Sequence, residues 1–157
     1  MVEVLIAILL LGVGLLGLAN LQMLGLRNNQ SAFHRSLALH YAMDMAERIR
    51  ANPAGDYHLR SGGTADCINS VCTPAQMVGY DMTQWSNSLA TQLPMGVGVV
   101  CRDADAEDDP DGDGVFNSTP VAPSCDGLAA SPYAVKIWWD DNRSGTLNQR
   151  FALNVQP

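Results

Sequence analysis

Basic residues are scarce in this chain, and its first 26 residues have none. Nine Lys and Arg stand against sixteen Asp and Glu, for a formal net charge of −7. Phosphate binding needs clustered Lys and Arg, so this balance excludes a nucleic-acid partner. Proline is absent before Pro53, so nothing interrupts a helix over that stretch. There is no internal repeat or low-complexity tract. There is also no G-x-S-x-G elbow, no glycine-rich phosphate loop and no H-E-x-x-H pair. The three histidines, His34, His40 and His58, do not stand beside cysteines, and His34 and His40 are six apart, on different helix faces. All three read as surface or packing residues. No constellation for nucleophilic, acid–base or metal catalysis remains, which argues against an enzyme.

The run Met1–Ala19, MVEVLIAILLLGVGLLGLA, is long enough to cross a bilayer, which takes roughly 20 apolar residues. Glu3 is its only charge. A carboxylate within hydrocarbon costs about 2.5–3.5 kcal/mol even on lenient scales, so it usually has a partner. The first basic residue is Arg27, so the partner of Glu3 is expected on another chain. A cleaved secretory signal would start with positive charge and have a shorter apolar core. Here Glu3 stands in that place, and the usual cue for orientation is missing. Either the chain crosses in an unusual way or a leader is removed before Met1. Gly12, Gly14 and Gly17 would permit close helix approach, but the strict G-x-x-x-G spacing is absent.

The helix is expected to continue. Leu21, Met23, Leu24 and Leu26 keep it apolar, and from Arg27 it becomes amphipathic. Ala38, Ala42, Met45 and Ile49 follow the spacing of one face, widened by Phe33, Leu37 and Tyr41. Asp44–Arg48 and Glu47–Arg50 can support the exposed side. Asn52-Pro53 then stops the helix, because the residue before Pro disfavours the α conformation. This gives one helix of about 50 residues, roughly 75 Å long. Two domains follow: residues 1–26 as a transmembrane or filament-core segment, and 27–157 as a globular domain that includes the amphipathic half-helix.

Residues 54–73 read as a loop carrying Cys67 and Cys72. A second helix follows, with Thr73 as N-cap, Pro74 at the first position and Gln76 closing a T-x-x-Q capping box. Val78, Met82, Trp85, Leu89 and Leu93 form its apolar face, and Pro94 ends it. The period then changes to two: Val97, Val99 and Cys101; Tyr133, Val135, Ile137 and Trp139; Phe151, Leu153 and Val155. A Gly-containing hairpin loop, 140–145, joins the last two strands. The fold class is α+β, a small antiparallel sheet packed on the second half of the long helix.

The four cysteines, Cys67, Cys72, Cys101 and Cys125, allow three pairings, and sequence alone does not choose among them. A domain outside the cytosol would let disulfides persist. A 67–72 bond would pin a small local ring, and a 101–125 bond would close the acidic loop at its base. Zinc does not fit the CxxxxC spacing. Within that loop, from Asp103 to Asp113, there are seven acidic residues and no basic one. Asp109, Asp111 and Asp113, then Gly114, match the start of a calcium loop, with Val115 offering a carbonyl and Asn117 the ninth position. The twelfth position should be a bidentate Glu and is Pro120, so the motif is incomplete. A solvated acidic loop and a calcium site both remain open.

The opening Met1-Val-Glu3-Val-Leu-Ile-Ala-Ile-Leu-Leu resembles the segment just after the cleavage site of type IV pilins, which commonly reads F-[ST]-x-[IV]-E-V-L. By that resemblance the chain begins two residues inside the mature protein, after prepilin peptidase has removed a basic leader. Leu26-Arg-Asn-Asn-Gln-Ser-Ala32, Asp44-Met-Ala-Glu-Arg-Ile-Arg-Ala-Asn-Pro53, Cys72-Thr-Pro-Ala-Gln76, Val100-Cys-Arg-Asp103 and Val135-Lys-Ile-Trp-Trp-Asp-Asp141 are similar to the PilV-type minor pilins. The resemblance implies a type IV pilin fold. It also implies a minor pilin that joins other minor pilins and the major pilin in a priming or tip complex. The chain would be held first in the inner membrane by one span, its domain in the periplasm, and then in the pilus at the cell surface. Glu3 would neutralise the N-terminal ammonium of a neighbouring subunit. A minor pseudopilin of type II secretion shares the N-terminal signature, and a membrane-anchored calcium-dependent adhesin is the reading that the Asp109–Gly114 loop favours.

Overall fold

The computed structural model describes residues 2–106 and 119–156. Its elements in chain order are α1 (Val2–Ala51), α2 (Pro74–Gln92), β1 (Val97–Arg102), β2 (Tyr133–Trp139) and β3 (Gln149–Val155). The chain divides into two compact units, residues 1–34 and 35–157.

The first unit is helix alone. From Val2 to Leu26 every large apolar side chain is more than half exposed. This stretch is long and apolar enough to cross a membrane. Such a surface is stable only when lipid or other apolar chains cover it.

In the second unit Ala38, Ala42, Met45 and Ile49 of α1 are buried together with Val78, Met82, Trp85, Leu89 and Leu93. Val100, Tyr133, Val135, Ile137, Trp139 and Val155 supply the sheet's share of this core. Both helical faces are those that the 3.6-residue period marks. Leu37 and Tyr41 pack at the core's margin, but Phe33 is 60% exposed and does not widen the stripe. Each residue turns about 100°, which carries Phe33 well round the helix from the Ala38–Met45 line. Thr73 caps α2 as expected: its side chain accepts from the Gln76 amide, while Gln76 Oε1 accepts from the Thr73 amide at 2.9 Å.

The sheet is antiparallel in the order β1-β2-β3. Val99 lies opposite Lys136 in one ladder, and Lys136 opposite Ala152 in the other. Alternation sets Tyr133, Val135, Ile137 and Trp139 on the core face. The other face of β2 is buried as well, at Ala134, Lys136 and Trp138. The segment after Thr119 crosses that face, because the carbonyls of Pro123 and Ser124 accept from Lys136 Nζ at 2.8 and 3.3 Å.

Glycine stands at two close approaches. A Cβ on Gly98 would collide with the Trp85 ring, so β1 can cross the indole only without a side chain there. Gly63 and Gly79 bring loop and α2 backbones together, with a Cβ on either only 3.1 Å from the other's Cα. The Gly63 amide donates to the Gly79 carbonyl at 2.8 Å.

Candidate functional site

Two surfaces carry the residues of interest, one in each unit. Glu3 lies in the first turn of α1 on the exposed apolar helix. All five candidate calcium ligands, Asp109, Asp111, Asp113, Val115 and Asn117, lie outside the described residues. Among the described residues, Cys101, Asp103 and Cys125 bring metal-type ligand atoms together. That grouping offers no thiolate, because its two sulfurs are joined to each other, and Asp103 faces Lys136.

The cysteines are bonded 67–72 and 101–125. The first bond closes a ring within a polar turn. Asp66 Oδ1 accepts from the amides of Ile68 and Asn69, each at 3.2 Å, and Oδ2 accepts from Asn69 Nδ2 at 2.8 Å. The second bond joins the end of β1 to a residue 24 positions on. Loop-closure entropy predicts a loss of about 3.5 kcal/mol for Cys101→Ser with Cys125→Ser, against about 2 kcal/mol for Cys67→Ser with Cys72→Ser. Urea unfolding of both double variants, followed by tryptophan fluorescence, measures the difference. Equal losses would mean that the acidic loop is not held by its disulfide.

Beside Cys101–Cys125 sits a charge pair that the sequence reading missed. Lys136, the sole lysine, is fully buried in mid-β2, and its Nζ lies 2.5 Å from Asp103 Oδ2. The disulfide, this pair and the two carbonyl acceptors together fasten both ends of the acidic loop onto the sheet. A signal for it was present: Tyr133-Ala-Val-Lys-Ile-Trp-Trp139 is apolar at every position except Lys136, as in strands covered on both faces.

A second missed cluster joins both helices. Tyr57, fully buried, donates its hydroxyl to Asp81 Oδ2 at 2.6 Å, and Arg48 donates to Asp81 Oδ1 at 3.1 Å and to Asp44 at 2.9 Å. Burial and the Asp81 carboxylate push the Tyr57 phenol well above its ordinary value. Arg48 loses some basicity to burial, but the two carboxylates more than restore it.

The third cluster surrounds the outer end of β1. The Arg102 guanidinium lies 4.4 Å over the Tyr133 ring and donates to the Tyr133 hydroxyl at 3.0 Å. It also donates to the carbonyls of Ala129 and Ser131 at 3.1 and 3.2 Å. Asp56 is pushed up by partial burial, but donors from Arg60 and the His58 amide outweigh this and hold it below the usual carboxylate range. Asp126 is held low by the Ser131 hydroxyl and the amides of Leu128 and Ala104. Of the histidines, His34 is buried and His40 is exposed against Tyr41, while His58 accepts from the Arg102 amide.

No described cluster joins a nucleophile to a base. What the described residues present is an uncovered apolar helical segment with one carboxylate, and a sheet domain carrying two disulfides. Residues 20–83 match the family model described as Tt1218-like, Type IV pilin Tt1218. No curated protein and no solved structure matches the chain.

Proposed function

We propose, from the chain's place in the type IV pilin superfamily, that it is a minor pilin of the PilV type. The superfamily is structural, and the long apolar helix, short second helix and three-stranded antiparallel sheet are the type IV pilin fold. In this reading the chain joins other minor pilins in a complex that primes pilus assembly and sits at the tip, in contact with the major pilin. Before assembly residues 1–26 hold it in the inner membrane, with residues 27–157 in the periplasm, where both disulfides persist.

The observation that carries the reading is the exposed apolar part of α1, residues 2–26, with Glu3 as its one charge. Buried between helices of neighbouring subunits, that carboxylate needs a cation, and an N-terminal ammonium of an adjacent chain supplies it. Losing one partner of a desolvated pair costs about 3–5 kcal/mol, enough to cut incorporation at least tenfold. The experiment compares wild type with Glu3→Ala in cells. The variant's amount in sheared pili should fall by about tenfold or more, while its level in membranes and the melting of its globular unit stay unchanged. Wild-type incorporation and piliation in the variant would sink the reading.

A further inference from the structure

The tripeptide N-x-S/T occurs three times in the chain, at Asn29, Asn117 and Asn142. With any residue but proline in the middle, it is the acceptor for N-linked glycans, on surface loops of proteins outside the cytosol. Asn29 lies within α1, where the Ser31 amide belongs to the helix ladder and cannot turn back to Asn29. Asn117 lies outside the described residues. Asn142 stands in the hairpin between β2 and β3, and Asn142, Arg143 and Ser144 are all exposed.

This hairpin holds the Asn142 carboxamide one way round. Arg143, at φ 55°, turns the chain so that the Ser144 amide donates back to Asn142 Oδ1 at 3.2 Å. Asn148 Nδ2 donates to the same oxygen. Asn148 is itself fixed: it donates to Asp140 Oδ1 at 3.1 Å and accepts from the Asp141 amide at 2.9 Å. The oxygen therefore faces the loop with two donors on it. The nitrogen of the same planar group points away from them, and among the described residues Asn142 Nδ2 donates to no group. Donors on the oxygen favour the amide's deprotonated, negatively charged form, so they ease the loss of an Nδ2 proton.

We propose that Asn142 is an N-glycosylation site, the acceptor for an oligosaccharide carried on a polyprenyl diphosphate. In the transfer, Asn142 Nδ2 bonds to the anomeric carbon of the first sugar. The bond from that carbon to the diphosphate oxygen breaks, and its electron pair leaves with the polyprenyl diphosphate. One Nδ2 proton passes to a carboxylate of the transferring enzyme. Ser144 is the residue that this enzyme reads, through its hydroxyl. That hydroxyl lies 2.8 Å from the Thr146 hydroxyl, an exposed contact that an enzyme group can replace. The finished bond uses only Nδ2, so the glycosylated hairpin keeps both donors on Oδ1. Only the compartment is taken from the pilin reading, and the Glu3→Ala comparison is blind to a glycan on Asn142, so the two fail separately.

The test is peptide mass spectrometry of the full chain, purified from the membranes and sheared pili of the cells that make it, then denatured and digested. Trypsin cuts after Lys136 and Arg143, and residues 137–143 include no Ser or Thr, so a glycan on that peptide is N-linked. The wild-type peptide is expected to carry the mass of a glycan, placed on Asn142 by fragmentation. Ser144 lies outside the peptide, so variants there leave the peptide's own mass unchanged. Ser144→Ala should lose the glycan, and Ser144→Thr, which keeps the hydroxyl, should retain it. An unmodified Asn142 in the wild type would overturn the proposal, as would a glycan that persists in Ser144→Ala. Should Ser144→Ala fail to accumulate, the wild-type peptide alone decides.

Discussion

Lys136→Met is expected to destabilise the globular unit by about 3–5 kcal/mol. The ammonium is fully buried and meets Asp103 at 2.5 Å, and Asp103 itself is only 3% exposed. Taking two charges out of water costs several kcal/mol per ion, and their mutual attraction in the interior offsets that only while both are present. Methionine fills most of the lysine's volume, so the loss reports charge rather than a cavity. It removes the Asp103 carboxylate's cation and also takes the donor from the Pro123 and Ser124 carbonyls. The check is urea unfolding of the full chain in micelles, read from Trp85, Trp138 and Trp139, all of which lie in the sheet-bearing unit. Adding Asp103→Asn to Lys136→Met should restore part of the loss, because no carboxylate then remains to be stranded. A loss below about 1 kcal/mol for Lys136→Met, typical of exposed pairs, would show that water reaches the pair.

Trp85→Ala should cost about 3–5 kcal/mol through a different mechanism. The indole has no solvent exposure and fills the space between α2 and β1, directly under Gly98. It also donates from Nε1 to the Tyr41 carbonyl on α1 at 2.9 Å. Alanine would leave a cavity that Gly98 cannot fill, lacking a side chain of its own. Trp85→Phe separates the two contributions. It keeps most of the ring volume but loses the Nε1 donor, so its cost should be nearer 1–2 kcal/mol. The measurement is the same unfolding curve, read from Trp138 and Trp139. Similar losses for both variants would mean that the bond to Tyr41, rather than packing, holds α2 in place.

These two residues also mark how far sequence reading reached. Trp85 was legible, because a helical period needs only local spacing and its face was marked by Val78, Met82, Leu89 and Leu93. Thr73 and Gln76 were legible for the same reason, since a capping box is closed within one turn. Phe33 misled, because apolar character alone does not state on which side of a helix the core ends. Lys136 was hidden, because its partner Asp103 lies 33 positions away and lysine in a strand ordinarily faces water. Tyr57, Arg48 and Asp81 were hidden likewise, joined across 24 and 33 positions.

What the sequence determined alone was periodicity and interruption. It set a long helix with an uncovered apolar start and one carboxylate, a capped second helix, and three strands. Those follow from forces between residues a few positions apart. What only the tertiary structure decided was pairing at a distance: which cysteines join, which charge answers Lys136, and which groups meet at the outer end of β1. Such contacts depend on where separate segments meet in space, and a burial pattern read along one chain carries no record of that meeting.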